Sequence, residues 1–468
     1  MAPAMTRPPT ARSAALEALD RLERREGFLR DHLHDIFAHA DLDPRDRALA
    51  LQLATGVVRH RRVLRLLVSH LRGPGRRTGA IQPPLRRILE LGAYQLLFLD
   101  RVPAYAAVNE AVQAAREMAR GRQAERAAGF INGMLRGLGR LIAGREPAGR
   151  PAPDAVPHPD GGVVRLAEAV LPRPEGGRAV FLATAYSYPD WLVERWVDAY
   201  GEEAEVVCRW QNRRPHTFAR VNLMRHTAEA LLATLRQEAP DVAPGPEPGT
   251  LDVSALSIER LEALAEAGDL TVQDPSAMAA VAALAPQAGE TVLDLCASPG
   301  TKTTQIVEAM GGEGRVVACD RNEEKLEPVR RTVASRGIRC VTVCLSDDAA
   351  GHAPAGGFDA VLVDTPCSNT GVLARRVEAR WRARPDDVAD LAAIQRGLLE
   401  RAIGLVRPGG RLVYSTCSLL PEENDALVAT FLKGRSGWEL ARRDLVLPGP
   451  DRDGAFCARL NRVEAGTA

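Results

Sequence analysis

The sequence feature that most constrains the fold is a regular alternation of strand-like and helical segments from about residue 276 onward. Helical segments separate five apolar runs rich in β-branched residues: TVLDLC (291–296), RVVACD (315–320), RCVTVCL (339–345), FDAVLVD (358–364) and RLVYSTC (411–417). Strands that are apolar on both faces and connected by helices are typical of a parallel sheet with helices on both sides. We therefore predict a doubly wound α/β domain over residues 276–468.

The first third of the chain shows a different pattern. Apolar residues recur at helical spacing throughout residues 12–142, and the breaks carry turn residues such as Asp43-Pro44. This pattern predicts an all-α helical bundle over residues 1–144. Residues 1–150 contain 26 Arg and 15 acidic residues, whereas the other 318 residues contain 35 Lys and Arg and 45 acidic residues. A basic module joined to an acidic remainder suggests that the bundle binds a polyanion, although a solvated, arginine-coated surface would account for the same charge.

The composition between these two regions predicts a linker and a small additional module. Residues 145–162, REPAGRPAPDAVPHPDGG, contain five prolines and almost no bulky apolar side chain. We therefore predict an extended, semi-rigid, proline-rich linker over residues 145–178. Residues 179–275 mix helical segments with the strand-like TFARVNL (217–223), which indicates a small α+β module.

The sequence shows neither the apolar segments of a membrane or secreted protein nor the cysteine patterns of a metal site. No apolar run approaches the ~18 residues that a membrane-spanning helix needs, and the N-terminus lacks the apolar core of a secretory signal. We therefore expect a cytoplasmic protein that does not bind a membrane. The eight cysteines include no Cys-x-x-Cys pair, and no histidines cluster near them, so we expect neither a metal site nor a disulfide framework. Buried thiols are the simplest interpretation of most of these cysteines.

The turn that follows the first strand of the predicted sheet is suited to a nucleoside cofactor. Ligands of doubly wound sheets bind beyond the carboxyl ends of the strands, and Pro299-Gly300 lets backbone N–H groups face a ligand there. Asp320 ends the second strand, where an acid suits ribose hydroxyls, and Asp347 follows the third strand, where it could accept a hydrogen bond from an adenine amine. The absence of G-x-G-x-x-G disfavours a dinucleotide, and an ordinary turn between a strand and a helix stays an equal alternative.

Lysine usage draws attention to one residue of this turn. Only Lys302, Lys325 and Lys433 are lysines among the 61 basic residues. A position that keeps lysine in such an arginine-rich chain is a candidate for a role that needs a compact ammonium group rather than a planar guanidinium.

Two cysteines follow the fourth and fifth strands in similar turns, DTPCSNTG (364–371) and YSTCSLLPEEN (414–424). If these strands are neighbours, ~4.8 Å apart, Cys367 and Cys417 can face one pocket together with Asp364. Two structural thiols near strand ends are the alternative interpretation. The matched Cys-Ser turns beside a cofactor site favour a functional pair, because perturbed thiols cluster at functional sites.

Four motifs together resemble those of RNA 5-methylcytosine methyltransferases, which use S-adenosylmethionine. The motifs are LDLCASPGTKTTQI (293–306), VQDPSAM (272–278), DTPCSNTGVL (364–373) and YSTCSLLPEEN (414–424). The segments RDRALALQLATGVVRHRR (45–62), LGAYQLLFLDRVPAYAAVNEAV (91–112) and AGFINGMLRG (128–137) are similar to the NusB-like RNA-binding domain. That domain precedes the catalytic region in the bacterial 16S ribosomal RNA (cytosine-C5)-methyltransferases of the RsmB type. The resemblance covers about residues 12–460 apart from the linker, and it implies a NusB-like helical domain followed by a Rossmann-like catalytic domain.

For the cofactor, the resemblance implies a role for the acidic strand ends and for the first turn. Asp320 would hold the ribose and Asp347 the adenine, and Asp364 would lie at the junction between the methyl group and the target base. The methionine end would be wrapped by Cys296, Ala297, Ser298, Pro299, Gly300, Thr301 and Lys302.

For the reaction, the resemblance implies that Cys417 is the nucleophile and that Cys367 assists product release. Carbon 5 of cytosine is a poor nucleophile, and addition of a thiolate to carbon 6 converts the ring into an enamine-like species whose carbon 5 can attack a methyl sulfonium. Asp364 at N3 would neutralise the charge that develops during addition, and Lys302 would favour the thiolate. The target base must leave any stack to reach this pocket, so the expected substrate is a single-stranded or loop region of small-subunit ribosomal RNA.

The sequence departs from the family pattern at several positions. Thr301 stands where the first motif usually has a second glycine, and Thr365 and Asn369 replace small residues beside the first catalytic cysteine. Arg-Arg-Val-Glu at residues 375–378 replaces the usual Arg-His-Pro-Asp, although the Arg-Trp that follows remains. These departures leave open how that loop positions the base or the RNA backbone.

Two other functions remain open at this point. One is the same chemistry on transfer RNA, which the NusB-like domain disfavours because that domain accompanies the ribosomal branch. The other is an RNA-binding, antitermination-like protein with an inert methyltransferase domain, against which the joint presence of both cysteines, Asp364 and Lys302 argues. If the bundle binds RNA, we expect Arg59, Arg61 and Arg62 to contact phosphate groups.

Overall fold

The computed structural model describes residues 9–24, 27–73, 81–118 and 120–463, and the chain divides into two compact units. One unit runs to Arg214 and also contains Leu373–Arg382, whereas the other comprises Pro215–Val372 and the chain from Ala383 onward. This division does not follow the predicted boundaries near residues 144, 178 and 275, which stay predictions.

The first unit begins with a helical bundle, as predicted. Pro44 starts the third helix, and the Asp43 side chain accepts a hydrogen bond from the Asp46 N–H at 2.8 Å, which satisfies a donor that a helix start leaves unpaired. The fifth helix is buried on every side from Arg87 to Phe98, so it forms the centre of the bundle. The helices are α1 (Ala11–Arg24), α2 (Leu29–His39), α3 (Pro44–Arg59), α4 (Arg61–Arg72), α5 (Pro83–Phe98), α6 (Ala104–Glu117) and α7 (Arg122–Leu141).

Residues 142–166 form a three-stranded antiparallel sheet, so the extended linker predicted over residues 145–178 is wrong for residues 145–166. Val156 and Val164 are fully buried in it, and the prolines lie at strand ends and in connections, where a missing N–H removes no ladder hydrogen bond. Short apolar pairs therefore suffice to build a sheet without a long apolar run. The strands, in the order β1-β3-β2, are β1 (Ile142–Glu146), β2 (Ala155–Pro157) and β3 (Val163–Leu166).

Further helices complete this part of the first unit. The sequence analysis placed them in the small α+β module, whereas they group with the helical bundle. Trp196 is fully buried there and meets the ring of Tyr188 edge-on, with 5.3 Å between ring centroids. The helices are α8 (Arg178–Ala185), α9 (Asp190–Tyr200) and α10 (Glu203–Trp210), preceded by a 3-10 turn at Pro174–Gly176.

The second unit opens with a small α+β module, as predicted. A four-stranded antiparallel sheet in the order β5-β6-β4-β7 packs its apolar residues, such as Val221 and Leu251, into one cluster with Leu235 and Leu264 of two helices. The elements are β4 (Phe218–Val221), α11 (Ala228–Glu238), β5 (Ala243–Pro244), β6 (Thr250–Asp252), α12 (Ile258–Ala267) and β7 (Leu270–Val272).

A seven-stranded sheet follows, and its central part is the predicted parallel sheet. The strand order is β10-β9-β8-β11-β12-β14-β13, with β14 antiparallel to both of its neighbours. The strands are β8 (Thr291–Asp294), β9 (Arg315–Asp320), β10 (Val341–Leu345), β11 (Phe358–Asp364), β12 (Val406–Thr416), β13 (Trp438–Val446) and β14 (Ala455–Arg462). The helices are α13 (Pro275–Leu284), α14 (Thr301–Ala309), α15 (Glu323–Ser335), α16 (Ala379–Arg382), α17 (Pro385–Ile403) and α18 (Asp425–Leu432), with 3-10 turns at Ser346–His352 and Pro421–Glu423.

The two faces of this sheet bury alternate residues of the same strands. Val317, Val361 and Leu412 pack into one hydrophobic cluster, whereas Val316 and Leu362, which point to the opposite face, pack into the other. Each of these strands therefore buries side chains on both faces of the sheet, and this explains the unbroken apolar runs in the sequence. The final antiparallel pair, β13 and β14, was not predicted from the sequence.

The small module is joined to the first helix of this sheet by a buried arginine. Arg220 of β4 donates to Gln273 at 3.0 Å and to Thr304 of α14 at 3.1 Å, and its guanidinium pairs with Glu308. Burial lowers the pKa of Arg220 to about 9. The neighbouring Asp274 caps α13 by accepting the Ser276 N–H at 2.9 Å, so the VQDPSAM motif serves packing and capping in this structure.

The segment Leu373–Arg382, which contains α16, belongs to the first unit and is held there by buried arginines. Arg380 is fully buried, and it donates to the carbonyl of Arg59 at 3.0 Å and to Asn212 Oδ1 at 2.8 Å. The Arg59 guanidinium in turn donates to the Ala374 carbonyl at 2.8 Å. The loop that departs from the family pattern is therefore built into the helical unit by the Arg-Trp pair that the family pattern retains.

The predicted phosphate contacts of three consecutive basic positions are contradicted by these interactions. Arg59 is only 8% exposed, and burial lowers its pKa to about 10, with a smaller contribution from the charge of Arg380. Arg61 lies over the ring of Trp381, and Arg62 pairs with Asp190 at 2.8 Å. The prediction is therefore wrong for Arg59, and the other two arginines are engaged within the unit.

Within the described residues, no helix is both long and apolar enough to cross a membrane. The same residues contain no group of three or more metal-binding side chains. The expected cytoplasmic location stays a prediction.

Candidate active site

The carboxyl ends of four neighbouring parallel strands form the edge where the sequence places its site. β9, β8, β11 and β12 lie side by side in that order, and Asp320, Asp294 and Asp364 are the last residues of the first three. The chain order reverses between β8 and β11, which is the position where doubly wound sheets bind ligands. Asp364 is in register with Ser415 of β12, so the predicted adjacency of the two cysteine-bearing strands is confirmed.

The turn after β8 holds a left-handed glycine next to a helix start. Gly300 has φ +103°, and a Cβ there would lie 3.1 Å from Thr332, so only glycine suits this position. Thr301 is the first residue of α14 and is not among the described residues with positive φ other than glycine. The replacement of the family's second glycine by Thr301 therefore causes no backbone strain.

Asp320 is oriented by the backbone of this turn. Its carboxylate accepts the Ser298 N–H at 3.2 Å and the Arg321 N–H at 2.8 Å, and it is only 6% exposed. Lys325 lies 3.8 Å away. Asp320 therefore presents a fixed acceptor at the edge of the sheet, as its predicted role in ribose binding requires.

Asp347 does not join this group. Its side chain is 92% exposed and pairs with Arg401 at 2.8 Å. These contacts do not favour the predicted interaction with adenine, which stays a prediction.

A third acid, Asp294, is fully buried, and one of its oxygens has no partner among the described residues. Oδ2 accepts the Thr303 hydroxyl at 2.7 Å, whereas Oδ1 is the unpartnered atom. Burial raises the pKa of Asp294 to about 7, and the nearby carboxylates of Asp364 and Asp320 add to this effect. A buried hydrogen-bond acceptor without a partner, at the edge of the sheet where ligands bind, is suited to a hydrogen-bond donor of a bound ligand.

Lys302, which the lysine usage of the sequence singled out, pairs with Asp364. Its Nζ lies 2.6 Å from Asp364 Oδ2. Burial alone lowers the pKa of Lys302, but the carboxylate of Asp364 outweighs it and, with smaller contributions from Cys417 and Asp294, raises the pKa. The ammonium therefore stays charged and acts on both Asp364 and Cys417.

The two cysteines predicted to face one pocket are in direct contact. Cys367 Sγ lies 3.1 Å from Cys417 Sγ, and both are free thiols. The hydrogen bond with Cys417, burial, and the charges of Cys417 and Glu423 together raise the pKa of Cys367 well above its ordinary value. Cys367 therefore keeps its proton and can donate it to Cys417.

Asn369, which the sequence analysis treated only as a departure, touches both cysteines. It has φ +59°, a left-handed conformation that asparagine tolerates better than most residues. Its amide donates to the Cys367 carbonyl at 2.9 Å, and its Oδ1 lies 3.3 Å from Cys417 Sγ. The left-handed backbone explains why a small residue usually stands here, and the contacts explain how asparagine replaces it.

Beneath the two cysteine turns lies a buried carboxylate that the sequence analysis did not single out. Glu423 is fully buried, and the hydroxyls of Ser368 and Ser418 both donate to its Oε2. Its Oε1 accepts the Ser368 N–H at 2.9 Å and the Gln395 amide at 3.0 Å. The two Cys-Ser dipeptides are thus joined through one acid, and their repetition in the sequence was the signal that could have identified it.

The other six cysteines fit the simpler interpretation of buried or half-buried thiols. Cys319 and Cys344 lie 3.3 Å apart on paired strands, and burial is the first cause that raises the pKa of Cys319. Burial also raises the pKa of Cys296, which lies in the first turn. Cys319 and Cys296 are therefore protonated near neutral pH.

Three family models match successive parts of the chain. The NusB family matches residues 9–140, and the ferredoxin-like domain of RsmF/B-like methyltransferases matches residues 188–250. The 16S rRNA methyltransferase RsmB/F model matches residues 281–452. The matches therefore fall on the helical bundle, the small module region and the seven-stranded sheet.

Known proteins resemble the chain over almost its whole length. It is 34% identical to a probable ribosomal RNA small subunit methyltransferase B of Synechocystis sp., over 92% of this chain and 90% of the relative. It is also 34% identical to the ribosomal RNA small subunit methyltransferase B of Salmonella arizonae, over 89% and 90% of the two chains. The crystal structure of PH0851 shares the fold, with a TM-score of 0.74 and 24% identity over 98% of this chain and 100% of that chain.

Proposed function

The chain belongs to the 16S rRNA methyltransferase RsmB/F family, and we propose that it methylates carbon 5 of a cytosine through a covalent adduct between Cys417 and carbon 6. The substrate is small-subunit ribosomal RNA. The observation that carries this proposal is the 3.1 Å contact between Cys367 and Cys417 beside the Lys302–Asp364 pair. Two thiols with different surroundings suit a reaction in which one thiol must attack and the other must assist release.

S-adenosylmethionine is the cofactor, and it supplies a methyl group bound to a positively charged sulfur. The residues of the sheet edge fit such a cationic ligand. Asp294 offers its unpartnered buried oxygen to an ammonium donor, and Asp320 offers an oriented carboxylate to ribose hydroxyls. The turn from Cys296 to Lys302 adds backbone N–H groups at the start of α14.

The charges around the two thiols differ in sign, and this difference supports Cys417 as the nucleophile. The charged Lys302 acts on Cys417, whereas the buried carboxylate of Glu423 acts on Cys367. A cation favours a thiolate and a carboxylate disfavours it. These surroundings favour attack by Cys417 and leave Cys367, whose pKa is raised, for the later step.

The same contact gives Cys367 a role after the adduct has formed. Cys417 itself, through its hydrogen bond, is the largest cause of the raised pKa of Cys367. Once Cys417 is a thioether, its negative charge is gone, so Cys367 can lose its proton to solvent and then take the proton from carbon 5. Removal of that proton lets the bond between Cys417 and carbon 6 break, and the methylated base is released.

Asp364 and Lys302 act on the ring during addition. Asp364 at the end of β11 lies beside N3 as a carboxylate. As the thiolate adds to carbon 6, N3 takes a proton from solvent, and Asp364 accepts a hydrogen bond from the N3–H that forms and so stabilises the charge on the ring. Lys302, held 2.6 Å from Asp364, keeps both groups in place and remains charged. The base reaches them only when it has left its stack, so we propose a single-stranded or loop cytosine as the target.

Methyl transfer to purified RNA tests this proposal. The full chain is incubated with methyl-labelled S-adenosylmethionine and in-vitro-transcribed 16S ribosomal RNA, and the nucleosides are then analysed. We expect label in 5-methylcytosine of the ribosomal RNA and none in a transfer RNA control. Label in transfer RNA alone would favour the same chemistry on the other substrate, and RNA binding without any label would favour an inert methyltransferase domain.

A further inference from the structure

The outer face of α7 carries a patch of exposed basic residues. Arg122, Arg126, Arg136 and Arg140 are all exposed along this helix. Arg136 donates to Asn132 at 3.1 Å, and the other three have no hydrogen-bond or ion-pair partner among the described residues. The patch is therefore free to meet a ligand.

Helix geometry places these arginines on one line. At about 100° per residue, they and the exposed Gly129 and Gly133 lie within about 40° of a common direction along ~27 Å of helix. The opposite side of α7, which includes Ile131, Leu135 and Leu138, is buried in the bundle. Because the inner side of α7 packs in the bundle, the arginine line on the opposite side faces solvent.

The basic residues of α4, in contrast to most of those of α7, have partners within the same unit. Arg62 pairs with Asp190 at 2.8 Å, and Arg65 pairs with the buried Glu90 at 2.7 Å. Arg61 lies over the Trp381 ring. These arginines stabilise the fold, whereas internal partners do not account for the arginines of α7.

Internal packing also fails to explain two glycines at the middle of this line. A Cβ at Gly129 or at Gly133 would meet no atom of the described residues within 4 Å. Glycine destabilises an exposed helix interior relative to alanine, and no contact among the described residues calls for it here. Absence of the side chain does allow another backbone to approach closely.

We propose that this line, Arg122-Arg126-Gly129-Gly133-Arg136-Arg140, docks the sugar–phosphate backbone of ribosomal RNA. The inference rests on the proposed function for the identity of the RNA. The four arginines contact successive phosphates, and the two glycines let the RNA backbone lie against the helix between them. A polyanion is the partner that fits this line, which has four positive charges, no acidic residue and no apolar centre, whereas the exposed Glu125 beside it pairs with Arg116 at 3.1 Å.

The salt dependence of binding tests the arginines. In Arg126→Gln/Arg136→Gln/Arg140→Gln, each lost phosphate contact removes about 0.7 from the slope of log affinity against log salt for single-stranded RNA, so the slope falls by about 2. The control Arg21→Gln/Arg24→Gln/Arg45→Gln removes the same charge from α1 and α3 and should retain the slope. An unchanged slope in the α7 variant, or an equal decrease in both variants, would overturn the proposal.

Alanine at the two glycines tests the close approach, because stability and binding should move in opposite directions. Gly129→Ala/Gly133→Ala should raise the melting temperature by about 3–6 °C, since alanine favours the helix. The same variant should bind ribosomal RNA roughly five- to tenfold more weakly, since the methyl groups crowd the RNA backbone. Unchanged or tighter binding would overturn the close approach.

Two further measurements separate failure of this inference from failure of the proposed function. Binding of S-adenosylmethionine by calorimetry should be equal in wild type and in all three variants, and helical circular dichroism shows that the helical unit of each variant is folded. Methylation of 16S ribosomal RNA by the wild type tests the function independently of α7. Wild-type methylation together with an unchanged salt slope in the arginine variant would refute the docking surface alone.

Discussion

The two cysteine turns have the same Cys-Ser dipeptide and equivalent positions at the ends of neighbouring strands, yet their surroundings differ. Cys367 is buried and lies over the Glu423 carboxylate, and its pKa is raised. Cys417 is half-buried and is one of the groups on which the charge of Lys302 acts. The same Cys-Ser dipeptide therefore has different chemical properties in the two turns, because the charges that act on the two thiols come from α14 and from the 3-10 turn before α18.

Replacement of the proposed nucleophile should have the largest effect. Cys417→Ser should abolish methyl transfer and form no covalent species with RNA, because a serine hydroxyl is scarcely ionised. Labelled methyl transfer and denaturing electrophoresis measure the two results. Activity near that of the wild type would show that Cys417 is not the nucleophile and would contradict the proposed difference between the two turns.

Replacement of the other cysteine should stop the reaction later. Cys367→Ser should still allow Cys417 to attack and the methyl group to transfer, but the adduct should persist as a protein–RNA species that survives denaturing electrophoresis. The double variant is the matched control and should show no such species. A trapped species with Cys417→Ser instead would invert the two roles, and equal modest losses without trapping would make both thiols structural.

Replacement of Lys302 should reduce the chemical difference between the two cysteine turns. In Lys302→Gln, Cys417 loses a nearby positive charge that favours the reactive thiolate. Methyl transfer should therefore slow by roughly tenfold. Lys325→Gln is the control, because Lys325 is a lysine 3.8 Å from Asp320 rather than beside the cysteines, and should retain the rate at saturating cofactor. A wild-type rate in Lys302→Gln would contradict the proposed polarity.

Removal of the buried acid should produce the smallest change. In Glu423→Gln, Cys367 loses a charge that raises its pKa, so that pKa falls while the hydrogen bond with Cys417 and burial still hold it above its ordinary value. Alkylation of Cys367, located by mass spectrometry, should begin at a lower pH than in the wild type. Glu422→Gln changes the neighbouring residue of the same 3-10 turn and should leave the profile unchanged. Identical profiles for all three proteins would mean that Glu423 only connects the turns.

The residues that the sequence could identify are those whose role depends on position along a strand. Asp320, Asp364, Cys367 and Cys417 were all predicted because the carboxyl ends of parallel strands meet at one edge. Asp294 and Glu423 were not identified, because their importance comes from burial and from partners on other elements. Asp347 has the right position in the sequence, but its side chain faces solvent and pairs with Arg401.

The sequence by itself determined the helical bundle, the small α+β module, the parallel sheet and the cysteine pair, because periodicity and strand ends are properties of adjacent residues. Only the tertiary structure decided which arginines are structural and which are free. Arg59 is buried against a segment more than 300 residues away in the chain, whereas the four arginines of α7 are exposed in the part of the chain that the structure describes. It also decided that residues 142–166 form a sheet and that one carboxylate joins both cysteine turns. Burial and charge pairing depend on residues distant in sequence, and no local pattern specifies them.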